Sequence, residues 1–180
     1  MNIYIDGSSL NNNSKGKRYG GVGVFFGSND DRNISLPVKD NKKNKYSDEK
    51  IRVSNQYTEI LACRVAIEKL IMTQNIKGKK INIYTDSKYL HDIVTKWAKS
   101  WESKGWKKSG NKEISHLELI KSIYYMLQNI DISFVHINSH TKEPKDKTSK
   151  KYRDWYGNYQ ADLLATTASN GLLKKNVKSC

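Results

Sequence analysis

Short apolar runs at residues 2–6, 21–26, 34–38, 80–85 and 131–137 alternate or break off quickly, and turn or charged residues bound each one, the pattern of β-strands. Apolar positions recur at helical spacing over 56–72, 88–100, 116–128 and 158–169. Three strands in a row, then strands alternating with helices, predict an α/β fold with a five-stranded mixed sheet. An antiparallel meander comes first, then parallel strands joined by helical crossovers that flank the sheet. Residues 39–50, 104–113 and 141–156 read as irregular, being charged or broken by glycine and proline. No internal repeat of useful length is present. A chain of 180 residues fits one domain, with a folded core over 1–170, a tail over 171–180 and loop insertions at 39–50 and 141–157.

Four carboxylates sit awkwardly in this pattern. Ile3-Tyr4-Ile5-Asp6-Gly7-Ser8 and Ile83-Tyr84-Thr85-Asp86-Ser87 are two apolar strands running into an aspartate and small residues. As parallel neighbours they would bring both aspartates to the carboxyl end of the sheet, where open α/β sheets place their ligands. Each could equally open a turn or cap a helix. Glu59 is the one charged residue on a stripe that continues through Ala62, Cys63, Ala66, Ile67 and Leu70. It could also be a solvated first-turn glutamate favoured by the helix dipole. Asp162 lies at the edge of the stripe Ala161, Leu164, Ala165 and Ala168, and a solvated first-turn position is open to it too. If the four converge they cannot all ionise near neutral pH without cations. Magnesium takes carboxylates, water and phosphate, and a pair of such ions clamps the attacking and leaving oxygens of a phosphoryl displacement.

Charge adds a partner. Thirty-two Lys and Arg against 18 Asp and Glu give a net charge of +14, which draws polyanions and points to nucleic acid. Acidic membranes or proteins, or an AT-rich genome behind the lysines, are the other readings. No run of about 18 apolar residues is present and the N-terminus lacks a secretory pattern, so an intracellular, cytoplasmic protein without membrane contact is expected. Cys63 and Cys180 are spaced for neither a disulfide framework nor a zinc site.

Taken together, Asp6-Gly7-Ser8, Asn55-Gln56-Tyr57-Thr58-Glu59, Thr85-Asp86-Ser87-Lys88-Tyr89, His140, and Asn158 to Asp162 before Leu163-Leu164-Ala165 resemble the type 1 ribonuclease H family over nearly the whole chain. The resemblance implies the ribonuclease H fold and hydrolysis of the RNA strand of RNA/DNA hybrids, leaving 5′-phosphate and 3′-hydroxyl ends. It implies two magnesium ions, with manganese as the alternative. Asp6 would bridge them, Glu59 and Asp86 would complete one site, and Asp162 would join Asp6 at the other. His140 matches the family's mobile histidine, whose near-neutral titration suits proton movement or product release.

The same resemblance makes Asn55 and Gln56 readers of the minor groove and 2′-hydroxyls, with Ser8, Lys88 and Asn158 beside them as substrate contacts. Trp97, Trp101 and Trp106, interleaved with Lys107, Lys108 and other lysines, look like the family's basic protrusion over 96–113. Trp97 and Trp101 also fit a core role that anchors it. His116 stands where the family usually has a phosphate-contacting Asn, and Lys88 where some members carry Gln. The stretch 141–157, with six Lys or Arg against three acids, is longer than in compact bacterial members. A transposase-like or junction-resolving nuclease, a non-catalytic hybrid-binding module and a domain of a reverse transcriptase are the rival readings. A free-standing monomer is the simplest.

Overall fold

The computed structural model describes residues 1–10, 18–40, 52–73, 76, 78–139 and 141–177, with side chains to Gly171. Five strands, β1 (Asn2–Leu10), β2 (Tyr19–Phe25), β3 (Ile34–Lys39), β4 (Ile81–Thr85) and β5 (Ile132–His136), form one sheet in the order β3-β2-β1-β4-β5. β3, β2 and β1 pair antiparallel, and β1, β4 and β5 pair parallel. This is the mixed sheet that the order of apolar runs predicts.

One face of the sheet carries the main core. Ile3, Ile5, Val22, Val24 and Ile83 point into it and meet Ile60, Ala66, Ile67 and Leu70 of α1 (Asn55–Thr73) and Ile120 and Ile123 of α4 (Leu117–Leu127). Burial of each such aliphatic side chain stabilises the fold by about 1.5–3 kcal/mol. Strand alternation sends Tyr4, Phe25 and Tyr84 to the opposite face, where they cluster with Ala161 of α5 (Lys150–Val177). Tyr4 and Tyr84 stack there at 4.7 Å between ring centroids.

α5 lies almost backbone to backbone on β2. A Cβ at Gly23 would come within 2.0 Å of the Ala161 carbonyl oxygen, and one at Gly21 equally close to that of Ala165. Only glycine permits this approach. On the other face α1 does the same at Gly7, where a Cβ would meet the Glu59 backbone nitrogen at 2.3 Å.

The structure departs from the sequence-based expectations in four places. Residues 150–157, expected in a loop, are the first two turns of α5, and the same helix runs on to Val177 through part of the expected tail. The expected helix at 88–100 is broken into α2 (Lys88–Asp92), a π-helical turn (Ile93–Trp97) and α3 (Ala98–Glu102). β1 continues past Asp6 to Leu10, because β2 goes on pairing with it after β4 has ended. His116 precedes α4 in the left-handed region (φ 59°) instead of opening it. The insertion at 39–50, apart from Lys39 and Asp40, lies outside the described residues.

Candidate active site

The cleft forms where β4 stops and β1 carries on. The register Tyr4↔Tyr84 brings Asp6 level with Asp86, the residue after the end of β4. Asp6 projects to the α5 face and Asp86 stands in the turn before α2. The close approach at Gly7 lowers the first turn of α1 onto β1 and delivers Glu59 to the same point. Asp6, Glu59 and Asp86 each offer an oxygen within 4.8 Å of the others. Asp162 lines the same cavity from α5, whose seat on Gly23 brings it near, since Gly23 is the register partner of Asp6.

The cavity, about 510 Å³, is walled by these four carboxylates together with small and polar residues. Among the described residues no lysine or arginine lines it. Asp6 is buried; desolvation, then the charges of Asp86 and Asp162, push its carboxyl up to about 8. Desolvation, then Asp6 and Asp86, hold Glu59 well above the ordinary carboxylate range. Glu59 Oε2 is buried with no hydrogen-bond partner among the described residues. Mutually repelling hard oxygen donors, one of them unsatisfied and none facing a cation among the described residues, are the donor set that a hard divalent ion fits.

Two neighbours brace Asp86. Asn158 Nδ2 donates to its Oδ2 at 3.3 Å, and His136 Nε2 lies 3.2 Å from its backbone oxygen. The His136 ring packs against His91 at 5.9 Å.

Ser8, Asn55 and Asn158 also line the cavity, while Gln56 is exposed one residue further along α1. Ser8 Oγ is 3.1 Å from Ser169 Oγ. Lys88 is exposed and its Nζ sits 2.5 Å from Asp92 Oδ1. The three tryptophans do not reach the carboxylates. Trp101 and Trp106 pack partly buried against the main core, and Trp97, 37% exposed, tilts against Trp101 and Tyr89. Lys107 is exposed, and Lys108 Nζ lies 6.0 Å from the Trp101 ring centre. His116 packs its ring on Tyr57 at 5.3 Å, and burial lowers its pKa. His140 lies outside the described residues.

The cavity wall also holds Asn138, Ser139, Thr141, Trp155 and Tyr159, none of which the sequence-based reading singled out. Trp155, Asn158, Tyr159 and Asp162 share one helical face at i, i+3, i+4 and i+7, a signal available once the helix is begun at Lys150.

A five-stranded sheet in this order, with carboxylates gathered where β1 and β4 part, is the ribonuclease H fold. The sequence model of that family, RNase H, matches residues 1–170, and the chain belongs to the RNase H family. "Ribonuclease H" of Schizosaccharomyces pombe is 31% identical over 163 residues, 91% of this chain and 50% of the relative. "Ribonuclease H" of Wigglesworthia glossinidia brevipalpis is 32% identical over 145 residues, 81% of this chain and 80% of the relative. The solution structure of the PFV RNase H domain superposes with a TM-score of 0.61 at 22% identity, covering 94% of this chain and 93% of that one, and shares the fold. The chain spans about half the length of several curated relatives that it matches. The family is metal-dependent, and the acidic triad here can bind a metal. Among the described residues no helix is long and apolar enough to cross a membrane.

Proposed function

We propose that the chain is an endoribonuclease that hydrolyses the RNA strand of RNA/DNA hybrids, leaving 5′-phosphate and 3′-hydroxyl ends. The observation that carries the proposal is the meeting of Asp6, Glu59 and Asp86 within 4.8 Å at the split between β1 and β4. Family membership and the names of the relatives at about 30% identity support it.

Asp6, Glu59, Asp86 and Asp162 would hold two magnesium ions, with manganese an acceptable substitute because the ligand demands overlap. When bound, such ions activate water and stabilise charge on the phosphate in transfer. The chain's own residues prepare for that. Asp6 and Glu59, with raised pKa values, give up their protons when a cation takes the place of mutual repulsion. Asn158 fixes the carboxylate of Asp86 and His136 its backbone. Asn55 and Gln56, at the head of α1, would read the minor groove and the 2′-hydroxyls that separate RNA from DNA. Ser8 and Asn158 face the strand being cut, and His140 serves proton movement or product release. The net charge of +14, with Lys107 and Lys108 at the protrusion of 96–113 and Lys88 beside the site, draws in the phosphate backbone. Trp97 is the exposed aromatic of that protrusion, and Trp101 and Trp106 anchor it. We take the chain to act as a monomer.

The test is Asp86→Asn. The variant binds labelled hybrid as the parent does and cleaves it at least 100-fold more slowly in magnesium. Cleavage near the parent's rate overturns the mechanism, and equal cutting of duplex DNA by the parent overturns the substrate assignment.

A further inference from the structure

The first turns of α5 carry an aromatic ladder that ends at the carboxylate cavity. Tyr152 and Trp155 pack at 5.6 Å, and Trp155 and Tyr159 stack at 5.5 Å with their planes 10° apart. Trp155 is fixed in place, because its Nε1 donates to the Thr141 carbonyl at 3.0 Å. Tyr152 lies against Trp155 on one side, whereas Tyr159 is 48% exposed and lines the cavity beside Asn158 and Asp162. One face of its ring is therefore covered by Trp155, and about half of its surface is left open beside the cavity. Beyond Trp155 lies a second cavity of about 520 Å³, whose walls include Lys150, Lys151 and His136 and which shares Asn138, Thr141 and Trp155 with the first. Lys150 is paired there with Asp154 at 2.5 Å, so a polyanionic strand that leaves the carboxylates along the ladder meets Lys151 as the cation of that wall with no ion pair among the described residues.

Within a paired duplex both faces of every base are covered by neighbouring bases. A ring beside the strand gains stacking only from a base that has lost a neighbour, as at an end, a nick or a flap. We propose that Tyr159, backed by Trp155 and Tyr152, stacks on an unpaired nucleobase of the RNA strand next to the reacting phosphate. The chain thereby favours cleavage beside an unpaired nucleotide over cleavage inside continuous hybrid. This rests on the ribonuclease reading above and adds a substrate preference to it.

The experiment compares kcat/KM on two labelled hybrids of one sequence, fully paired or with a single unpaired RNA nucleotide beside the main cleavage site. The parent cuts the second in preference by at least about fivefold, the lower end of base–aromatic stacking. Tyr159→Leu, which keeps apolar bulk without a ring, loses the preference; Tyr159→Phe retains it. Circular dichroism and the Tm of each variant show that it is folded, and the ratio of two substrates within one variant cancels any loss of active protein. A parent that cuts both hybrids equally, or a Tyr159→Leu variant with the parent's ratio, overturns the stacking inference and leaves the hydrolase reading standing. A parent that cuts neither overturns both.

Discussion

Asn158 and Asp86 stand 72 residues apart in sequence, and the amide of one holds an oxygen of the other at 3.3 Å. Asn158 Oδ1 is buried without a partner among the described residues, and the amide's bond to Asp86 is what ties this side chain to the site. Groups that orient a metal ligand in this way typically contribute 10- to 100-fold in affinity or rate. Asn158→Ala is expected to lower magnesium affinity by about that factor while leaving the fold intact. Calorimetric titration with magnesium measures it, and an unchanged affinity would remove Asn158 from the site.

Asp6 gives a pH dependence whose sign is fixed by its burial. Its carboxyl, at about 8 in the fold, sits far above its ordinary value near 4. Protonation therefore favours the folded state, fully below pH of about 4, and that stability is lost as pH rises towards 8. Glu59 shifts in the same direction. In EDTA, Asp6→Asn, which keeps the shape of the neutral acid, is expected to match the parent's Tm near pH 4. It should exceed the parent by a few degrees towards pH 8, at about 2–4 °C per kcal/mol of relieved repulsion. Saturating magnesium should erase or reverse the difference, since only the parent keeps all its ligands. A variant less stable than the parent at every pH would contradict this.

Gly23→Ala probes the contact between β2 and α5. The added methyl meets a backbone oxygen, which cannot swing aside as the end of a side chain can. Overpacking of this kind costs about 1–3 kcal/mol, and here the upper end is expected. Because α5 carries Asp162, the rate of hybrid cleavage should fall further than the folded fraction does. Denaturant midpoints beside rates at saturating magnesium separate the two, and a loss of stability with full activity would show that α5 need not hold its position.

Much of the fold and the convergence of the four carboxylates are legible in the chain, for a physical reason. Strand alternation around Ile3, Ile5 and Ile83, and the apolar stripe of α1 below Glu59, are dictated by burial on one side and leave a periodic trace. The start of α5 leaves no such trace. Between Lys150 and Gly157 its tyrosines and tryptophan lie half-buried among lysines and an arginine, and Gly157 is required where the helix crosses the ring of Tyr4. Basic composition and a glycine read as loop, and with the loop went Trp155. The length of β1 was hidden for a similar reason, since Ser8 and Ser9 are polar strand residues beside a polar cavity.

The glycine seat of α5 also fixes a length. Because Gly21 and Gly23 carry no side chains, the gap between β2 and the helix is set by the radii of main-chain atoms, which no substitution elsewhere in the core can retune. Asp6, opposite Gly23, and Asp162, one residue past Ala161, take their separation from that gap. At this crossing the molecule thus keeps a ruler made of backbone.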